Sequence, residues 1–136
     1  MEDKKYIKPF EQLRHRHPFV MLDTAEIIEA NVLARGTKQI TMSDPIVLPD
    51  GSLPQVYIIE AMAQMSGIAS GRNRPSVFAA ILDLTFHGTA RAGDTLVIES
   101  TVERNIGAVA IFAARVSVSG KTIAEGGLYL SFDEGT

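Results

Sequence analysis

Glu60 stands in a run that is otherwise almost free of charge, Val56-Tyr57-Ile58-Ile59-Glu60-Ala61-Met62-Ala63-Gln64. Carboxylates are rarely placed in such surroundings unless they are paired or functional. Gln64 follows four residues on and Gly67 one turn later, so a helix would present all three on one face. Burial favours the neutral carboxyl, which can hold a proton near neutral pH and give it up, as a general acid must. The alternative is a structural carboxylate bonded to Gln64 or to backbone. Perturbed carboxylates gather at functional sites, but not only there.

A partner for that acid has few sources. The chain has 136 residues, three histidines and no cysteine. The absence of cysteine excludes a disulfide framework, a zinc finger and a thiol nucleophile. The rings are His15, His17 and His87, too few and too scattered for a multi-histidine metal site. His15 and His17 are the candidate bases, each with the alternative of a turn histidine bonded to backbone. His87, in Phe86-His87-Gly88, reads as a strand-end residue. Asp44 and Asp50 precede proline and glycine and read as turn formers. Net charge is −3, from 13 basic and 16 acidic residues, with no basic run, which argues against a nucleic-acid binder.

The elements that would position these groups follow from periodicity. The opening, Lys4 to Arg16, reads as a short helix beginning near Pro9, and His15 to Phe19 as a turn, because the residue before proline avoids the helical region. Phe19 to Ala34 reads as one long strand. Gly36 is expected to end it, with Thr37 to Met42 returning. Ser43 to Leu53, with Pro45, Pro49, Asp50 and Gly51, is the clearest loop. Gln55 to about Ser70 reads as a helix apolar nearly all round, hence buried, with Pro54 at its start. Strands are expected at Val77–Phe86, Thr95–Arg104, Val109–Ser119 and Thr122–Phe132. Turns at Ala92-Gly93-Asp94, Asn105-Ile106-Gly107 and Ser119-Gly120-Lys121 separate them. The sum is an α+β architecture in a single domain over residues 1–136: one long helix wrapped by an antiparallel sheet of about six strands.

These residues carry a resemblance. Leu53-Pro54-Gln55-Val56-Tyr57-Ile58-Ile59-Glu60-Ala61-Met62-Ala63-Gln64 resembles the central-helix motif of the FabZ-type 3-hydroxyacyl-[acyl-carrier-protein] dehydratases, which have the hotdog fold. Leu13-Arg14-His15-Arg16-His17-Pro18-Phe19-Val20-Met21-Leu22-Asp23 is similar to their N-terminal HRYPFLLVD signature. Ala92-Gly93-Asp94-Thr95-Leu96 is similar to the turn before the next strand. The resemblance implies a central helix in a curled sheet, and pairing of two sheets edge to edge. It also implies loss of water from a 3-hydroxyacyl thioester, with Glu60 matching the acid and Gln64 the motif glutamine. In that family a loop histidine removes the C2 proton, and a backbone N–H at the helix N-terminus polarises the thioester carbonyl.

The sequence departs from the pattern where the loop histidine should stand. Counting back from Glu60, that position is Ile46, in Asp44-Pro45-Ile46-Val47-Leu48-Pro49. The pattern instead resembles a divergent, ApeP-like branch associated with aryl polyene biosynthesis. The expected site is therefore Glu60 with His17 or His15 as catalytic groups, and Gln64, Gly67, Val56 and Tyr57 about the substrate. Asp23 matches a family aspartate of structural use.

The resemblance further implies no cofactor of the protein's own, the substrate riding on the phosphopantetheine of acyl carrier protein or on coenzyme A. Expected partners are acyl carrier protein and a second hotdog chain, in a homodimer or a heterodimer, and neither nucleic acid nor membrane. Arg72 and Arg74 are candidate contacts for the acidic carrier. The N-terminus lacks a signal-peptide core, and the most apolar stretch, Val56 to Ala69, is too short and too polar to span a membrane, so a cytoplasmic protein is expected. A catalytically silent acyl-binding subunit and an acyl thioesterase are the competing readings.

Overall fold

A computed structural model describes residues 5–9, 20–72 and 74–133, with the side chains of 78 and 79 left aside. His15 and His17, and most of the helix expected near Pro9, lie outside the described residues. Within them, seven strands form one antiparallel sheet: β1 (Lys5–Ile7), β2 (Thr24–Glu29), β3 (Leu33–Gln39), β4 (Ser76–Phe86), β5 (Thr95–Ile106), β6 (Val109–Val118) and β7 (Lys121–Phe132). Their spatial order is β1-β2-β3-β5-β6-β7-β4. Helix α1 (Gln55–Ala69) lies against β3, β5, β6 and β7. This is the helix-in-curled-sheet arrangement expected.

Alternation explains the long strands. In β6, Ala110, Phe112, Ala114 and Val116 are buried, whereas Ile111, Ala113 and Arg115 point the other way. In β7, Leu128, Leu130 and Phe132 join the same core. Helix α1 presents Ile58, Ala61, Met62, Met65, Ile68 and Ala69 to that core. Its burial is one-sided, contrary to the all-round expectation. Val56 stays 61% exposed, and Ile59, Glu60, Ala63 and Gly67 are half-buried along the same face.

The N-terminal third needs three corrections. The expected long strand is divided into β2 and β3 by a turn in which Asn31 takes a left-handed φ of 61°. Gly36 does not end a strand; it lies mid-β3, paired with Ala25 and Ile98. A Cβ there would fall 2.2 Å from the Thr24 carbonyl oxygen and 2.6 Å from Met65 Cε. Glycine at 36 thus lets the helix side chain close onto the sheet. Finally, β1 adds a seventh strand, because Lys5 to Ile7 pair with Ile27 to Ala25. Near the other end, β5 runs through Ile106, so the turn expected at Asn105-Ile106-Gly107 sits one step later at Gly107 (φ 59°).

Candidate active site

Pro54 precedes α1 with φ −58° and ψ 142°, no side chain among the described residues caps the helix, and no acidic residue occupies its first turn. The first-turn N–H groups of a helix have no intrahelical acceptor and carry its positive end. They suit a carbonyl that gains negative charge during reaction.

Glu60 comes five residues into that helix and is held by a two-part clamp. Gln64 Nε2 donates to Glu60 Oε1 at 3.0 Å. The other end of the same amide, Gln64 Oε1, accepts the Met21 N–H at 2.8 Å. Gln64 is only 3% exposed, so the buried amide bridges the helix and residues 20–22. Of the expected substrate residues, Val56 and Gly67 share the less-covered face with Glu60, and Tyr57 packs partly against the core. Among the described residues, a Cβ at Gly67 would meet only Ser76 Oγ, at 3.9 Å.

The loop before the helix is built by hydrogen bonds of its own. Asp44 Oδ2 accepts the Thr41 N–H at 2.9 Å and the Thr41 hydroxyl at 3.2 Å. Asp50 Oδ1 accepts the Ser52 hydroxyl at 2.6 Å and the Ser52 N–H at 2.9 Å. Those bonds, the hydroxyl's foremost, hold the Asp50 carboxyl below its usual range, with Arg91 adding attraction. Both aspartates are turn formers, as expected. Ile46, where the resemblance led to the expectation of a loop histidine, is 7% exposed and part of the hydrophobic core. Asp23 is structural too: Oδ2 accepts the Gln39 N–H at 2.6 Å, and Oδ1 lies 3.4 Å from Lys38 Nζ.

The other sequence candidates lie elsewhere. His87 follows β4, and its Nε2 is 3.0 Å from Glu125 Oε2. Glu125 pairs in register with Arg115 on the sheet face turned away from the core. Beside it, Asp83, Glu99 and Arg115 help line a polar depression of about 710 Å³ that does not include Glu60. Arg72 donates to the Gly107 carbonyl and to Asn105 Oδ1, each at 2.9 Å, and lies 4.6 Å over the Phe132 ring. Its guanidinium therefore ties the end of the helix to the β5–β6 turn.

Two supporting contacts were not foreseen. Met21 supplies the clamp's backbone donor, which no side-chain pattern could announce. Ser66 and Ser100 bond across the core, Oγ to Oγ at 2.7 Å, while Ser66 also donates to the Met62 carbonyl at 2.8 Å. Two serines at apolar positions were the available signal.

No family model matches the sequence. A FabZ 3-hydroxyacyl-[acyl-carrier-protein] dehydratase from Herpetosiphon aurantiacus is 33% identical over 125 residues, covering 85% of this chain and 89% of the relative. The chain belongs to the FabZ dehydratase family. A FabZ dehydratase from Halalkalibacterium halodurans is likewise 33% identical, covering 92% of each chain. Among solved structures, a chain of the dehydratase heterocomplex ApeI:P from Xenorhabdus doucetiae superposes with TM-score 0.85 at 20% identity, covering 96% of this chain and 93% of that one. A hypothetical thioesterase from Streptococcus pneumoniae, solved with coenzyme A, gives 0.67 at 14% identity, covering 83% and 88%. At such identities these structures speak for the hotdog fold alone. No helix of the described residues is long and apolar enough to cross a membrane.

Proposed function

We propose that this FabZ-family chain removes water from a 3-hydroxyacyl thioester carried on acyl carrier protein. The observation that carries the reading is Glu60, held by Gln64 in a helix whose N-terminus has no side-chain cap among the described residues. Glu60 acts as the acid that protonates the departing hydroxyl. His17 or His15 acts as the base at C2, and the first-turn N–H groups polarise the thioester carbonyl. Val56, Tyr57 and Gly67 border the acyl chain. The protein needs no cofactor of its own, since phosphopantetheine arrives with the carrier, or with coenzyme A, as part of the substrate. It works in the cytoplasm as a dimer. Purified protein incubated with a 3-hydroxyacyl carrier protein is expected to yield the enoyl product, one water lighter by mass spectrometry, and Glu60→Gln is expected to yield none. Equal turnover by the two would overturn the assignment.

One observation favours a second reading, a silent subunit paired with a histidine-bearing hotdog chain. Ile46 fills the usual base position with a core side chain. In that case the protein alone is inert and activity appears only when the second chain is added. An acyl thioesterase ranks below both and would release free acid.

A further inference from the structure

We propose that Gln64 is a positioning residue that selects which oxygen of Glu60 carries the reactive proton. The selection starts at Met21. A backbone N–H can only donate, so the Gln64 atom 2.8 Å from it is the carbonyl oxygen. The amide is planar, and its opposite corner is therefore the NH2 group, 3.0 Å from Glu60 Oε1. Turning this buried amide over would set its NH2 group against the Met21 N–H, two donors facing each other. The orientation is thus dictated by the chain around residue 21 and passed to the helix carboxyl.

In a neutral carboxyl the carbonyl oxygen accepts a hydrogen bond better than the hydroxyl oxygen. A donor at Oε1 therefore gives that atom carbonyl character and places the hydrogen on Oε2. The consequence for the reaction rests on the assignment of Glu60 as the acid. The base takes the C2 proton, the C2–H electron pair becomes the C2–C3 double bond, and the C3–O bond breaks. The departing oxygen takes the proton from Oε2 and leaves as water, and Glu60 remains as a carboxylate. The Gln64 bond strengthens as that negative charge forms, because charged acceptors bind donors more tightly. Gln64 thereby stabilises the transition state more than the bound substrate, and its buried side chain does so without meeting the acyl group.

The test separates this role from packing and from the dehydratase assignment. Gln64→Glu keeps an acceptor for the Met21 N–H and replaces the amide donor with a second carboxyl, which shares a proton with Glu60 instead of fixing it on Oε2. Its kcat for a 3-hydroxyacyl carrier protein is expected to fall about 10- to 100-fold while KM changes less than about threefold. In wild-type protein the Gln64 side-chain NH2 resonance, assigned by its disappearance in Gln64→Met, is expected to move in Glu60→Gln. The Met21 amide is expected to exchange faster in Gln64→Met. An unmoved Gln64 resonance in Glu60→Gln overturns the proposal, and so does wild-type kcat in Gln64→Glu. If Gln64→Glu does not fold, the resonance comparison alone decides. A wild-type protein that shows the NMR coupling but forms no enoyl product would remove the dehydratase assignment and leave the clamp standing.

Discussion

Gln64 joins two segments that are 43 residues apart in sequence, with its oxygen on Met21 N–H and its nitrogen on Glu60 Oε1. The helix carboxylate is therefore oriented by the strand-entry segment rather than by the helix alone. A shift of residues 20–22 would move the amide and, with it, the Glu60 carboxyl. Long-range hydrogen bonds of this kind explain why a site can depend on backbone far from its reactive atoms.

Ile46→His is expected to cost about 1–3 kcal/mol, since it exchanges a buried aliphatic side chain for a polar ring. Burial disfavours the imidazolium, so the unfolded chain would bind more protons than the folded one. Stability should then fall further as pH drops through about 6.5, the ordinary imidazole value. Urea unfolding of wild type and variant at pH 8 and pH 5.5 checks both parts. A variant that is less destabilised at pH 5.5 than at pH 8 would contradict the argument.

Gly36→Ala should be among the most damaging single-methyl changes, about 3 kcal/mol at the upper end of overpacking effects. The new Cβ would meet the Thr24 carbonyl oxygen at 2.2 Å, and backbone in a paired strand has little room to retreat. Met65→Ala in the same chain relieves the side-chain clash but not the backbone one, so it should not restore the midpoint in a denaturant titration.

Ser66 and Ser100 offer a double-mutant cycle. Ser66 spends its hydrogen on the Met62 carbonyl, so Ser100 must donate to Ser66. Ser66→Ala leaves the Ser100 hydroxyl buried without that acceptor and is expected to cost about 1–3 kcal/mol. Once Ser66 is alanine, adding Ser100→Ala should cost little more. Additive losses from the two substitutions would refute the pairing.

Asp50 gives an acid-side prediction. Its carboxyl is held below the ordinary range mainly by the Ser52 hydroxyl and N–H. A lowered folded value contributes stability above the ordinary carboxylate range, and that contribution is lost as pH falls through the folded value. Titration followed by the Asp50 side-chain carbon shift should show a midpoint below those of unpaired aspartates. Ser52→Ala should bring it upward, and an unchanged midpoint would count against the hydroxyl as the cause.

The helix over Gln55–Ala69 and the loop before it were legible because their signals are local: an apolar run, a proline at the first turn, and a cluster of turn residues. Glu60 was legible for the same reason, as a charge out of place, and Gln64 by its helical spacing. The later strands were legible from period-two alternation. The N-terminal third was less so. Glycine at 36 looks like a strand breaker in one dimension and becomes a packing gap only when Met65 arrives from the helix.

Amino-acid order alone thus determined the helix, the later strands, Glu60 as a charge within an apolar run, and the absence of a histidine at position 46. Tertiary structure decided that Ile46 is core, that Gln64 bridges to Met21, and that His87 meets Glu125 on the far face. It also decided which face of α1 the sheet leaves open. Periodicity reports what each residue prefers beside its near neighbours. Partners tens of residues away are set by strand order and by where the helix lands, and here β3 beside β5, with α1 across both, makes those choices.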